Sequence, residues 1–151
     1  MAIEIRKAQD ADAELVIAYL KKLAEYEKLS EVCNITKEAL LTLLNEPNGL
    51  NAVIAEYNGV PAGFMTYYFY KIATFSGKRV MYIEDVFVDE EYRRFGIGKE
   101  LFDFAKKTAS DKQCARLEWK CLDWNRSAQS FYEKIGGSCS KDEWLTYTID
   151  I

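Results

Sequence analysis

A chain of 151 residues with 49% hydrophobic and 14% aromatic residues holds enough apolar material for one packed core and too much for a disordered segment. Its net charge of −4 argues against a nucleic-acid partner, and its longest apolar run, GFMTYYFY at residues 63–70, falls well short of the roughly 20 residues of a membrane span. Histidine is absent, which excludes Ser-His-Asp and Cys-His catalysis and histidine metal sites. Any general base must then be a carboxylate, a tyrosine, a lysine, a terminus or water.

The opening MAIEIRKAQD has no apolar stretch after a basic start, so no secretory signal is read and a soluble cytoplasmic protein is expected. Ile3 and Ile5 alternate with polar residues as a short first strand. Asp10 or Asp12 can cap a helix whose apolar positions Leu15, Val16, Tyr19, Leu20, Leu23 and Tyr26 recur every three or four residues. A second helix runs from an N-cap at Thr36 to about Leu44, before Pro47-Asn48-Gly49. NAVIAEY and VPAGFMTYYFY flank Asn58-Gly59, the signature of a tight hairpin. After a turn at Ser76-Gly77, RVMYIEDVFVDE reads as a long strand, then YRRFGIGKELF opens a helix to about Ala109. ARLEWKC is a strand, RSAQSFYEKI a helix ended by Gly136-Gly137, and EWLTYTIDI an alternating last strand. The order β-α-α-β-β-β-α-β-α-β predicts a mixed sheet with helices on its faces. No repeat or linker divides the chain, so one domain over 1–151 is expected. Cys33, Cys114, Cys121 and Cys139 form no C-x-x-C pair, so neither a zinc ribbon nor a redox motif is read.

YRRFGIGKELF looks built to hold phosphate. A Walker A loop would need glycine where Arg93 stands and Ser or Thr where Glu100 stands. A Rossmann fingerprint would need a small residue at Leu101. R-x-x-G-x-G between a strand and a helix does match, over Arg93, Arg94, Phe95, Gly96, Ile97 and Gly98. Its backbone N–H groups can hold a pyrophosphate at the helix N-terminus, with arginine and lysine adding charge. A plain strand-to-helix turn with two glycines is the competing reading.

YIEDVFVDEEYRRFGIGKELF followed by LEWKCLDWNRSAQSFYEKIGG resembles the GNAT superfamily of acyl-CoA-dependent N-acetyltransferases. More narrowly, the chain is similar to the diamine acetyltransferase group, which includes spermidine/spermine and thialysine N-acetyltransferases. Tyr26-Glu27 and YYFY fit that group too. The resemblance implies an α/β (α+β) fold: a mixed, mostly antiparallel central sheet flanked by helices and splayed between the fourth and fifth strands. It implies acetyl-CoA as cofactor. Backbone groups of Val86, Phe87 and Val88 would bind the pantetheine arm, and Arg93, Arg94, Phe95, Gly96, Ile97, Gly98 and Lys99 the pyrophosphate. Arg94 stands where the narrower group often has a small residue. Asn125 would bond the pantetheine arm from the splayed side, with Arg126 and Ser127 also near the cofactor.

An alkylamine of pKa near 10.4 must lose a proton before it can attack, at a cost of about 4.6 kcal/mol at pH 7. By the resemblance Glu84, on the central strand, is the base; recognition of the amine by charge alone is the alternative. Asp85 is expected on the other face. Tyr132 matches the family's general acid for the leaving thiolate, against a plain role in the core beside Phe131. Cys121 is read as buried rather than nucleophilic. Tyr26, Glu27, Glu84 and either Asp142 or Glu143 would line an acidic acceptor pocket, and Glu118 and Lys120 lie on the strand where the family places acceptor contacts. The loop FYKIATFSGKR lacks the acidic and tryptophan residues of the polyamine enzymes, and Lys71 adds a positive charge. The implied function is acetyl-CoA-dependent N-acetylation of a small cationic primary amine: polyamine, diamine or thialysine-like. The alternatives are a protein or peptide amine, or a non-catalytic acyl-CoA-binding module. A homodimer without nucleic-acid or membrane partners is expected.

Overall fold

The computed structural model describes residues 2–140 and 144–151. The chain forms two compact units, one ending at Lys120 and one spanning Cys121–Ile151. No helix among the described residues is long and apolar enough to cross a membrane.

The first unit is built on a five-stranded sheet in chain order: β1 (Ile3–Lys7), β2 (Asn51–Tyr57), β3 (Val60–Ala73), β4 (Lys78–Val88) and β5 (Arg116–Glu118). β1 to β4 pair antiparallel and β4 pairs parallel with β5. Helices α1 (Ala13–Tyr26) and α2 (Lys37–Asn45) precede β2, and α3 (Ile97–Asp111) joins β4 to β5. The expected mixed, mostly antiparallel sheet is therefore present.

Local chemistry accounts for most element ends. Asn58 and Gly59 have φ of 51° and 80°, the two positive angles of a type I′ hairpin turn. The Thr36 hydroxyl accepts the Ala39 N–H at 3.1 Å, capping α2. Asp12 behaves otherwise than expected. It sits at the N-cap of α1 but makes no side-chain cap bond. Its carboxylate accepts two hydrogen bonds from the Arg6 guanidinium, at 2.9 and 3.0 Å, and one from the Gln9 N–H. The forked ion pair to β1 outcompetes a single cap bond.

Two layers bury the sheet. On one side Val16 and Tyr19 of α1 and Leu40 of α2 pack on Ala52, Ile54 and Phe64. Tyr19 stacks on Phe64 with ring centroids 5.2 Å apart. Residues Val53 and Ala55 alternate to the other face, which α3 covers with buried Ile97, Leu101, Phe102 and Ala105. The β3–β4 contact is close at Gly63, where an added Cβ would lie 2.7 Å from the Phe87 carbonyl oxygen. Gly63→Ala is accordingly expected to cost roughly 1–3 kcal/mol as β3 is pushed off β4. Urea denaturation checks this; an unchanged midpoint would show that the strands yield freely.

The second unit holds α4 (Arg126–Lys134). Asn125 caps it by accepting the Ala128 N–H at 3.2 Å. At its other end the Gly136 N–H bonds the Glu133 carbonyl and the Gly137 N–H the Tyr132 carbonyl, with Gly136 at φ 95°. This is the Schellman closure that the two glycines foretell. Over the described residues 144–151 the last expected strand does not form. Residues 144–151 make no ladder, and Trp144, Leu145, Tyr147, Ile149 and Ile151 are exposed. Alternation sets which residues would share a face, but a strand also needs a partner, and the described residues supply none. The fifth strand is likewise shorter than ARLEWKC, because pairing with β4 covers only Arg116, Leu117 and Glu118.

Candidate active site

The centre of the site is the far half of β4. Its pairing with β5 runs from Val80↔Arg116 to Tyr82↔Glu118 and stops there, whereas pairing with β3 continues to Val88. From Ile83 to Val88 the β4 edge facing away from β3 is therefore outside any ladder, the splay expected between the fourth and fifth strands. Val86, Phe87 and Val88 lie on this open stretch. An edge of this kind offers backbone N–H and C=O groups to an extended, amide-bearing ligand. A pantetheine arm is such a ligand, so the residues present fit coenzyme A.

A β-bulge reshapes the two acids on this strand. Register steps from Thr66↔Asp85 to Tyr67↔Ile83, leaving Glu84 as the extra residue. The bulge breaks the alternation that would have sent Asp85 to the opposite face. Asp85 accepts a bond from the Thr66 hydroxyl at 2.5 Å, and Glu84 one from the Tyr68 hydroxyl at 2.9 Å. Thr66 and Tyr68 are two apart on β3 and share a face. Glu84 is exposed. Asp85 is partly buried, and that burial, with the charges of Glu84 and Glu27 against the Thr66 hydrogen bond, pushes its carboxyl up to about 6. Burial also raises Glu27, at the C-terminal end of α1. Three carboxylates thus contribute to one negative field.

The loop after β4 ties this strand to α1. Asp89 accepts from the Tyr19 hydroxyl at 2.9 Å and from Lys22 at 2.7 Å. The Arg93 guanidinium lies over the rings of Tyr26 (5.3 Å to its centroid) and Phe87 (5.4 Å), and its Nε donates to the Val88 carbonyl at 3.0 Å. Arg93 therefore links Tyr26 to the open strand. Arg94 is exposed with φ 70°, a left-handed angle that favours glycine. Phe95 packs its ring on Tyr57 at 5.1 Å, anchoring the loop to β2. Gly96, the N-cap of α3, has φ 90° and leads into Ile97, Gly98 and Lys99. First-turn N–H groups have no partner inside the helix, so this end suits a phosphate oxygen. Lys99 reaches Asp103 one turn on, at 2.5 Å.

Asn125, Arg126, Ser127 and Tyr132 all lie on α4 or at its cap in the second unit. The Asn125 side-chain oxygen is the α4 cap, Arg126 bonds the Gln129 side chain at 3.3 Å, and Ser127 is exposed. Tyr132 is partly buried with its ring 5.7 Å from Phe131. Cys121, expected to be buried, is only partly so; its thiol faces the Leu122 carbonyl at 3.4 Å. Asp142 and Glu143 lie outside the described residues.

Glu118 is partly buried at the end of β5. Against that burial, the Arg116 guanidinium and the Tyr70 hydroxyl hold its carboxyl below the usual range. Lys71 stands 3.9 Å from the same oxygen as Arg116, at the edge of an ion pair. Lys120 is exposed beyond the strand. Sequence reasoning missed Tyr68, Tyr70 and Tyr82, which cluster between Glu84 and Glu118. Alternation within YYFY already puts Tyr68 and Tyr70 on one face; their meeting with Tyr82 depends on the β3–β4 register. Among the described residues no group of three His, Cys, Asp or Glu side chains is placed to hold a metal ion.

Residues 15–137, a span that runs through both units, match the model of the acetyltransferase (GNAT) family. The chain is 34% identical to the thialysine N-epsilon-acetyltransferase of Bos taurus, over 89% of this chain and 83% of that protein. It is 40% identical to the L-ornithine N5-acetyltransferase NATA1 of Arabidopsis thaliana, over 65% of this chain and 40% of that protein. Its fold superposes on an aminoglycoside acetyltransferase from an uncultured soil metagenomic sample with a TM-score of 0.81 at 21% identity, covering 98% and 97% of the two chains.

Proposed function

The chain belongs to the acetyltransferase (GNAT) family, acyltransferases whose cofactor is acetyl-CoA, and on that premise we propose that its acceptor is the primary amine of a small cationic molecule. The observation that carries this reading is the bulge in β4. It sets exposed Glu84 next to partly buried Asp85, within the field of Glu27, on the stretch Ile83 to Val88 whose edge away from β3 is unpaired. A negative field at that place attracts and holds an ammonium. The thialysine and ornithine acetyltransferases among its relatives act on amino acids with a side-chain amine, which supports the same acceptor class.

In this reading acetyl-CoA, when bound, would supply a thioester carbonyl as acetyl donor to the amine, with the coenzyme A thiol as leaving group. Val86, Phe87 and Val88 hold the pantetheine amides through the open β4 edge. Gly96, Ile97, Gly98 and Lys99 receive the pyrophosphate at the start of α3, with Arg94 and Phe95 bordering it. Arg93 fixes Tyr26 against Phe87 and so shapes the acceptor's entrance. Glu84, held by Tyr68, accepts the proton that leaves the ammonium. Tyr132 would give a proton to the coenzyme A sulfur and regain one from the amine nitrogen, and Asn125, Arg126 and Ser127 would orient its helix and the cofactor arm. Glu27, Glu118 and Lys120 complete the acceptor contacts. The whole chain acts as one catalytic domain, and a homodimer is the expected assembly, to be read by light scattering.

Release of free thiol from acetyl-CoA, measured across polyamines, lysine and thialysine analogues, other amino acids and peptides, tests the acceptor class. Turnover with small cationic amines is expected. Turnover confined to peptides, or to none of these, would overturn it.

A further inference from the structure

Three tyrosine rings meet on one face of the β3–β4 pair, where Tyr70 is exposed and Tyr68 and Tyr82 are partly so. Tyr68 lies directly across from Tyr82 with ring centroids 5.5 Å apart. Tyr70 stands edge-on to both, at 5.6 Å from Tyr68 and 4.9 Å from Tyr82. Tyr70 is 50% exposed, so the cluster presents ring surface to solvent. Its hydroxyls are tied to acids: Tyr68 donates to Glu84 at 2.9 Å and Tyr70 to Glu118 at 3.0 Å. A phenol that donates to a carboxylate gains electron density on its ring, which strengthens the pull of the ring face on a cation. Burial and the neighbouring carboxylates raise all three phenols, so the rings are neutral at physiological pH and act by their faces rather than as acids.

Glu118 contributes little free charge here. Its Oε1 accepts from Arg116 at 2.6 Å, with Lys71 at 3.9 Å, and its Oε2 accepts from Tyr70. Glu84 already accepts from Tyr68 at its Oε2. What faces solvent between the two acids is therefore aromatic surface, with the Glu84 carboxylate at one end and the Glu118 carboxylate, paired with Arg116, at the other. Such a surface recognises a cation without requiring N–H donors from it.

We propose that Tyr68, Tyr70 and Tyr82 form a platform for a second, distal cationic head of the acceptor, and that it takes a trimethylated nitrogen as readily as a bare ammonium. This rests on the acetyltransferase reading above and adds to it a determinant of acceptor choice. The platform lies two residues from Glu84 along β4. An acceptor whose reactive amine sits at Glu84 can therefore lay its far end on the rings.

The test uses the full-length protein and three acceptors of equal chain length: an alkylamine, the α,ω-diamine and the ω-amino-alkyltrimethylammonium. Wild type is expected to use both dications with kcat/KM about tenfold above the monoamine, in line with one cation–π contact. Tyr70→Leu, at a half-exposed position, should bring both ratios close to one, and Tyr70→Phe should retain most of the preference. A trimethylammonium acceptor that falls to the level of the monoamine would show recognition by hydrogen bonds and overturn the platform. Preferences that survive Tyr70→Leu would do the same. If no amine releases thiol, the acetylation reading fails by itself, and a titration with tetramethylammonium decides the platform. Shifts of the tyrosine ring NMR signals that vanish in Tyr82→Leu, with the remaining spectrum folded, support it; no shift in wild type overturns it.

Discussion

Replacing Tyr132 by phenylalanine is expected to lower kcat at neutral pH by about 10²- to 10⁴-fold, the span of a lost general acid. The substitution removes one oxygen and leaves the ring to pack beside Phe131. The helix around it should persist, because its start is capped by the Asn125 side chain and its end by backbone bonds, one of them to the Tyr132 carbonyl itself. Acetyl-CoA affinity should stay within about threefold, since the loss falls on the transition state and not on ground-state binding. The defect should shrink as pH rises through about 8.5, the ordinary range of a thiol, where the thiolate no longer needs a proton. Steady-state thiol release across pH, with cofactor affinity by calorimetry, checks this. A kcat within twofold of wild type would assign Tyr132 to packing alone.

The second large effect concerns the two acids at the bulge. Glu84→Gln is expected to flatten the acidic arm of the pH–rate profile and to lower kcat/KM by about 10²-fold, as for a lost general base. If an acidic arm instead persists in E84Q, displaced to lower pH because the Glu84 charge that helps to raise Asp85 is gone, the proton goes to Asp85. Asp85 has its own signature in stability. Its folded-state value lies above the ordinary 3.8, so its contribution is fully present below about pH 4. Between pH 4 and 6 the unfolded chain gives up this proton while the folded chain keeps it, and the contribution drains away. Above pH 6 the fold carries a partly buried charge at a cost on the order of 3 kcal/mol, about 1.36 kcal/mol per pH unit over the gap. Asp85→Asn should therefore gain stability relative to wild type between pH 4 and pH 7.5. Urea unfolding at both pH values measures the difference, and equal differences would place the carboxyl in water.

Much of this architecture is local. The 3.6-residue spacing of Val16 and Tyr19, the cap at Thr36, the Asn58-Gly59 turn and the Gly136-Gly137 stop each depend on a few neighbouring residues, and each stands where the sequence puts it. The glycine loop is local for the same reason: Gly96 takes φ 90°, an angle that side chains resist, at the first turn of α3. Helix starts, turns and the phosphate-type loop are therefore legible in one dimension.

The features that specify the site depend on partners far along the chain. Glu84 becomes a bulge residue because of how β3 and β4 slide against each other, and period-two reading sent Asp85 the wrong way for that reason. The forked pair with Arg6 takes Asp12 away from its cap. Residues 144–151 carry a strand pattern and form none, since pairing is a property of two segments. Side-chain identity and short-range spacing settled which pieces this protein has and which chemistries it lacks. Register between strands, which only the folded sheet supplies, settled which carboxylate is drawn into the sheet, which is exposed, and which three tyrosines meet between Glu84 and Glu118.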